Sequence, residues 1–260
     1  MSQPDFLRRD LPKVGKRVHR LGLSSSHGID DAGIRAAIDA GVNYLFWTRN
    51  NMVPALRDAV RRDRDRLVIA TGPVLGHFRF TIRGAAEKRL RTLGTDYIDV
   101  FHLFWAGTMS ALNERTFDEL RRLKEEGKIR AIATSIHDRA WAARLVDDSP
   151  IDLFMLRYNA AHPGAETDVF PRLARRNPAV VAYTATSWRK LLRRPKGWTG
   201  PAMTAGECYR FCLSNPLVDV VLTSPSNRAE LEANLVEVER GPLEQQRLAQ
   251  VREFGRVVHG

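Results

Sequence analysis

Residues 97–105 read Tyr-Ile-Asp-Val-Phe-His-Leu-Phe-Trp, and this run decides the fold. Arg-Thr-Leu-Gly-Thr-Asp precedes it at 91–96, and Ala106-Gly107 follows it. A run of β-branched and aromatic residues between two glycine breaks is typical of a strand that is buried on both faces. We therefore predict a parallel strand over 97–105 in the core of an α/β domain.

Apolar strand patterns and helix patterns alternate on both sides of this run. The predicted strands cover 18–23, 42–48, 67–71, 97–105, 129–135, 153–158, 180–184 and 218–222. The predicted helices cover 32–40, 54–62, 81–93, 114–126, 139–147, 168–177, 205–214 and 229–239, and a last helix starts at 243. Eight strands, each followed by a helix, predict an α/β protein of the (β/α)8 TIM barrel class. An open doubly wound sheet is the alternative, but no Gly-x-Gly-x-x-Gly follows the first predicted strand.

The length and composition predict one domain over 1–260, with residues 1–16 as a basic N-terminal arm. The apolar fraction of 43% and the charged fraction of 27% are those of a globular protein with a large core. The N-terminus lacks the apolar segment of a signal peptide, and no window approaches the ~18 apolar residues of a membrane span. We expect a cytoplasmic protein with no membrane partner.

The formal net charge of +11 comes largely from arginines that are scattered over many segments. Scattered arginines are typical of solvated helix faces and do not indicate a specific nucleic-acid partner. They would attract an anionic small-molecule ligand. Cys208 and Cys212 are four residues apart in a helical pattern; we expect buried thiols in a reducing compartment, and a redox or metal role is the alternative.

Several ordered motifs resemble the aldo-keto reductase superfamily of barrel enzymes. They are Ala-Ile-Asp-Ala-Gly-Val-Asn at 37–43, Leu-Gly-Thr-Asp-Tyr-Ile-Asp at 93–99, Gly-Lys-Ile-Arg-Ala-Ile-Ala-Thr-Ser at 127–135, Val-Ala-Tyr-Thr at 181–184, Ser-Asn-Pro at 214–216 and Glu-Leu-Glu-Ala-Asn at 230–234. The resemblance covers about residues 17–240 and supports the barrel.

The resemblance implies a catalytic tetrad for carbonyl reduction with NADPH. In that family a tyrosine is the general acid, a lysine paired with an aspartate lowers the pKa of the tyrosine, and a histidine orients the carbonyl. Carried over by position, the aspartate falls on Phe46 or Trp47, the tyrosine on Asn51, the lysine on Gly72 and the histidine on Phe104. A phenol near its ordinary pKa of about 10 is a poor acid at neutral pH without a neighbouring positive charge. We therefore expect a diverged member without the tetrad.

The implied NADPH site is kept in part. At the nicotinamide, Ser135 and the stacking ring of Tyr183 are retained, but the carboxamide contacts fall on Ile136 and Met155. At the diphosphate and adenine end, the matching polar residues are Ser224, Ser226, Asn227 and Asn234. The arginine for the 2′-phosphate falls on Glu230, and Arg228 is close enough to replace it.

A rebuilt catalytic site is a second hypothesis. His102 and Tyr44 each precede an expected mouth position by two residues and so should lie one layer deeper in the barrel. They could act as base and acid, or they could be buried polar side chains beneath a mouth closed by aromatic rings. Those rings form the predicted ligand pocket together with a cationic side chain: Phe46, Trp47, Phe104, Trp105 and Arg157.

Arg157 could bind a carboxylate or phosphate bidentately, or it could form a structural ion pair. His137, Asp138, His162, Glu166 and Asp168 follow strands five and six, but their spacing matches no metal-ligand motif, and we predict no metal site. Two functions remain. One is a tetrad-less barrel that binds a ligand or nucleotide at its C-terminal face. The other is an NAD(P)H-dependent oxidoreductase with a relocated acid.

Overall fold

The computed structural model describes residues 5–73, 79–107 and 111–259. Eight parallel strands form a closed barrel in chain order, and the last strand pairs with the first. These strands are β3 (Leu21–Ser24), β4 (Tyr44–Phe46), β5 (Val68–Thr71), β6 (Ile98–Leu103), β7 (Ile129–Ile136), β8 (Leu153–Arg157), β9 (Ala179–Tyr183) and β10 (Val220–Thr223). The barrel confirms the predicted fold class.

Helices lie outside the barrel. They are α1 (Asp31–Asp39), α2 (Val53–Asp63), α3 (Arg79–Leu93), α4 (Glu114–Glu125), α5 (Arg139–Asp148), α6 (Ala165–Asp168), α7 (Ala205–Ser214), α8 (Arg228–Glu239) and α9 (Gln245–His259). Side-chain caps explain several starts: the carboxylate of Asp30 accepts a hydrogen bond from Gly33 N, and Thr204 and Glu207 form a capping box. None of the helices in the described ranges has the length and apolar composition that crossing a membrane requires.

The N-terminal arm contributes an ordered hairpin to the fold. β1 (Arg8–Leu11) and β2 (Lys16–His19) form an antiparallel hairpin. Its apolar side chains Leu11, Val14 and Val18 join the cluster that fills the barrel interior, so the hairpin closes the N-terminal end of the barrel. The predicted first strand at 18–23 was therefore wrong at its start, since Val18 lies in the hairpin and the barrel strand begins at Leu21.

Two other element boundaries differ from prediction. The helix predicted at 168–177 is a single turn, α6, followed by a 3₁₀ segment at Phe170–Arg175. Pro171 explains this, because proline lacks an amide donor and disfavours helical backbone in the residue before it. The strand predicted over 97–105 ends at Leu103, and Trp105 takes a left-handed backbone with φ of 47°.

The barrel interior holds alternate residues of each strand. On β6 these are Val100 and His102, and Phe104 just after the strand continues the series, with Phe101 and Leu103 facing the helices. On β8 the interior residues are Leu153 and Met155. This alternation decides which predicted side chains reach the mouth.

Candidate functional site

Aromatic rings fill the barrel beneath its C-terminal mouth. The rings of His102 and Phe104 stack in parallel, with centroids 5.6 Å apart and an interplanar angle of 5°. Phe46 meets both rings edge-on, at 5.3 Å from His102 and 5.7 Å from Phe104. His102 therefore lies one layer below two phenylalanines, as its position in the sequence predicted.

His102 and Tyr44 are fully buried polar side chains. Both ring nitrogens of His102 and the hydroxyl of Tyr44 make no hydrogen bond to the described residues. Burial lowers the pKa of His102 to about 3, so the imidazole is neutral at pH 7. Burial, with a smaller effect of the Asp99 carboxylate, raises the pKa of Tyr44. Both shifts weaken acid–base chemistry near neutral pH.

Gly72 is in close contact with the neighbouring strand. A Cβ built on Gly72 would lie 1.8 Å from the carbonyl oxygen of His102 and 2.8 Å from its carbonyl carbon. The position has no room for any side chain in this arrangement of β5 and β6. Arg89 also anchors this corner, donating to the Gly72 carbonyl at 2.6 Å and to Thr71 Oγ1 at 2.7 Å.

A groove of about 590 Å³ runs from the mouth towards α8. Phe46, Met155 and Tyr183 line it at the mouth. Its other end has polar walls that are contributed by the segment after β10 and by α8: Ser224, Ser226, Glu230, Asn234 and Glu237. The groove is apolar and aromatic at the mouth and polar at its other end, which suits a ligand with a planar apolar end and a polar end.

The polar end of the groove carries negative side chains. Glu230 Oε2 accepts a hydrogen bond from Ser226 N at 2.8 Å. Arg228 does not line the groove; its Nε donates to Glu232 at 2.7 Å on the exposed face of α8. Glu237 is paired with Arg210 at 3.1 Å and Arg240 at 3.0 Å. Glu230 is thus the carboxylate in this wall with no basic side chain paired to it in the part of the chain that the structure describes.

The cationic part of the mouth is formed by β8, β9 and the segment after β7. The Tyr183 hydroxyl lies 3.0 Å from Nε2 and 3.1 Å from Nδ1 of His137. The guanidinium of Arg157 lies over the ring of Trp188, at 5.8 Å from its centroid. Burial raises the pKa of Tyr183 to about 12, although the positive charge of Arg157 opposes this shift.

The model of the Aldo/keto reductase family matches residues 27–194, which is more than half of the 260-residue chain. The chain belongs to the aldo/keto reductase family. Methylglyoxal reductase YeaE of Escherichia coli is 26% identical over 195 residues, which cover 70% of this chain and 67% of YeaE. The uncharacterized oxidoreductase YqkF of Bacillus subtilis is 28% identical over 136 residues, and this match spans only 46% of the chain and 44% of YqkF.

Solved aldo/keto reductases show the same fold. The holo form of AKR11C1 from Bacillus halodurans superposes with a TM-score of 0.80 and 22% identity, covering 95% of both chains. Its apo form gives a TM-score of 0.78 over the same coverage. At this identity the likeness establishes the barrel and leaves the activity open.

Within this aldo/keto reductase barrel, the predicted nucleotide residues divide into two groups. Those that line the groove are Tyr183, Ser224, Ser226 and Asn234. Those that do not are Ser135, Asn227 and Arg228. Asn227 caps α8 through Glu230 N at 2.9 Å, and Ser135 Oγ accepts from Trp105 N at 2.9 Å, so both have structural partners.

The predicted ligand pocket needs one correction. Trp47 does not lie in the mouth; it is 4% exposed and packs in the outer cluster between the barrel and helices α1 and α2. The reason is strand alternation, which points Phe46 inward and the next side chain outward. Trp105 is 42% exposed after its left-handed turn, so it does not close the barrel as Phe104 does.

The remaining titratable candidates are dispersed. Glu166 accepts hydrogen bonds from Arg252 and Tyr158, and Asp168 pairs with Arg139 at 2.6 Å. The described ranges hold no cluster of three or more metal-ligating side chains. Cys208 and Cys212 are buried thiols, as predicted, and burial raises the pKa of both.

Sequence reasoning did not single out several residues of the groove. Ser24 is the last residue of β3, Ser26 and His27 follow that strand, and Tyr209 lies on α7. The first three could have been identified as mouth residues, because they lie at or just after the C-terminal end of a barrel strand. The left-handed backbone of Ser187, Trp188 and Arg189, with φ of 50°, 52° and 68°, carries no glycine and gives no sequence signal.

Proposed function

We propose that this chain is a diverged aldo/keto reductase that binds a nicotinamide nucleotide in the groove without carrying out the carbonyl reduction of the tetrad-bearing enzymes. Gly72 carries this proposal. The resemblance assigns the lysine of the tetrad to this position, and a side chain there would collide with the His102 carbonyl at 1.8 Å. The close approach of the Gly72 and His102 backbones leaves no space for the lysine that would lower the pKa of a tyrosine acid.

The mouth supports the same conclusion. Phe104, at the histidine position, stacks on His102 and offers no hydrogen bond to a carbonyl. A missing general acid removes a contribution of roughly 100-fold to 10,000-fold to the rate. Met155, at a carboxamide position, lines the groove without a hydrogen-bonding amide. Hydride geometry is then less well fixed.

The relocated acid–base pair is the weaker hypothesis. An acid catalyst at Tyr44 needs a lowered pKa, but burial and Asp99 raise it. Both His102 and Tyr44 are 0% exposed, so substrate would have to displace Phe46 and Phe104 to reach them.

Nucleotide binding is supported by the residues that line the groove. The ring of Tyr183 at the mouth offers a stacking face, and Ser224, Ser226 and Asn234 offer hydrogen bonds at the far end. When bound, a nicotinamide nucleotide would supply hydride chemistry. The residues described above do no more than bind and orient it.

Fluorescence titration with NADH and NADPH tests the proposal. We expect saturable binding that Tyr183→Ala weakens at least about tenfold, and that Tyr183→Phe, which keeps the ring, leaves within about twofold. Methylglyoxal should then cause no nucleotide oxidation above the protein-free rate. Turnover that Tyr44→Phe or His102→Phe abolishes would favour the relocated pair, and absence of binding at millimolar nucleotide would refute the groove assignment.

A further inference from the structure

Arg157 has no anionic partner among the residues that the structure describes. It ends β8, is half-buried, and follows the interior residue Met155 by two positions, so it belongs to the side of the strand that faces the mouth. Its guanidinium makes no hydrogen bond or ion pair with the residues that the structure describes, although it carries five donors. The undescribed residues 1–4, 74–78 and 108–110 include no aspartate or glutamate.

Two other arginines with little exposure, Arg20 and Arg64, have hydrogen-bond or ion-pair partners within the chain. Arg20 donates to the carbonyls of Leu213 and Val218 at 3.0 and 2.6 Å, and Arg64 pairs with Asp99 at 2.7 Å. A buried guanidinium normally gains such partners, because an unpaired charge is costly to remove from water. Arg157 therefore keeps guanidinium donors that an anion bound at the mouth can accept.

The surroundings of Arg157 are electropositive. Burial, and to a smaller extent the charge of Arg157, lowers the pKa of both nearby histidines. The pKa of His137 falls below its ordinary value and that of His162 falls to about 4, so both imidazoles are neutral at pH 7. Lys190 and Arg139 add positive charge around His162. The carboxylates on this side, Glu166 and Asp168, are paired elsewhere, so none of them neutralises Arg157.

Trp188 gives this recess an apolar wall. Its side chain is 56% exposed, lies beside the Arg157 guanidinium, and meets the His162 ring edge-on at 6.3 Å. It is the middle of three consecutive non-glycine residues with positive φ. Such backbone is costly and persists where the surrounding structure holds it, often at ligand sites.

We propose that Arg157, His137, His162 and Trp188 form a subsite for the carboxylate of a small organic acid. The guanidinium fork matches a planar carboxylate bidentately, and the indole covers the apolar body of the acid. A phosphate group shares the charge chemistry but has no use for the indole wall. The inference rests on the proposed function in one respect only: the acid would be the molecule held beside the nucleotide.

Calorimetric titration of the whole chain, without nucleotide, tests this subsite. The probes are benzoate, its neutral isostere benzamide, and inorganic phosphate. We expect saturable benzoate binding that is at least about tenfold tighter than that of benzamide and phosphate. Arg157→Gln should weaken benzoate binding by about tenfold or more, while Arg193→Gln, an exposed arginine of the same loop region, should leave it unchanged.

Several results would overturn the subsite. They are equal binding of benzoate and benzamide, tighter binding of phosphate than of benzoate, and benzoate binding that survives Arg157→Gln. Trp188→Ala separates the two walls, since it should weaken benzoate more than phosphate. Because nucleotide is absent, benzoate binding through Arg157 in a protein that fails to bind NADH would refute the proposed function alone. NADH binding without benzoate binding would refute the subsite alone.

Discussion

Burial of a neutral His102 makes the stability of this barrel depend on pH. An unfolded histidine has a pKa of about 6.5, whereas burial lowers the pKa of His102 to about 3 in the folded protein. Between these values the unfolded chain binds more protons than the folded chain, so the free energy of unfolding falls as the pH falls. The stabilisation is complete above about pH 6.5 and is lost progressively towards pH 3.

The linkage relation gives the size of this effect. With the two pKa values above, the contribution of His102 lowers the free energy of unfolding by about 2 kcal/mol between pH 7 and pH 5. The side chain is 0% exposed, so solvent screening does not reduce the value. His102→Phe removes the titrating group and keeps an aromatic ring against Phe104.

Urea unfolding at pH 7 and pH 5 measures the difference. The loss of stability between the two pH values should be about 2 kcal/mol smaller in His102→Phe than in the parent chain. His27→Gln is the matched control, because it removes an exposed histidine and should keep the parent slope. An equal loss in His102→Phe and the parent would refute the reasoning: His102 would then take up a proton in the folded state, and a role as base would regain support.

Three further predictions concern stability and nucleotide choice. Gly72→Ala forces β5 and β6 apart by more than 1 Å, and thermal melts should show that the free energy of unfolding falls by about 3 kcal/mol. Gly84→Ala, which has open space around the new Cβ, should raise the free energy of unfolding by about 0.5–1 kcal/mol. Equal effects of the two substitutions would contradict the packing argument. Tyr44→Phe removes an unpaired buried hydroxyl and should leave urea stability equal or higher by up to about 1 kcal/mol; a loss above that size would reveal a partner for the hydroxyl. Glu230→Gln should improve the binding of NADPH relative to NADH by roughly threefold to fivefold in fluorescence titrations, because it removes a negative charge from the groove wall; an unchanged ratio would place the 2′-phosphate elsewhere.

Most of the barrel was predictable because its strands are apolar runs with turn residues on both sides. The hairpin was not, since 18–23 is one continuous pattern in the sequence. The break comes from Arg20, whose guanidinium donates to carbonyls near the start of β10 and to Phe6. These hydrogen bonds join residues that are far apart in the sequence, so no local sequence pattern predicts them.

The candidate site was predictable where strand alternation or the family resemblance applied. Alternation placed His102 below Phe104 correctly, and the resemblance located Tyr183 and Asn234 in the groove. The prediction that Trp47 faces the mouth was wrong. Whether Phe46 or Trp47 points into the barrel depends on the register of the neighbouring strands, which the sequence of this strand does not give. The isolation of Arg157 was also beyond prediction, since it depends on where every carboxylate of the fold lies.

The constraints at Gly72 and Phe104 are coupled, which bears on the proposal that this barrel does not reduce carbonyls. Both contact His102, one through its backbone carbonyl and the other through its ring. A histidine in place of Phe104 would restore a polar group at the mouth but no positive charge. A lysine in place of Gly72 would require β6 to move outward, because its Cβ alone would lie 1.8 Å from the His102 carbonyl oxygen. A tyrosine acid at neutral pH needs the positive charge of that lysine, and the position implied for the tyrosine holds Asn51. No single substitution therefore supplies the missing groups without disrupting the strand pair.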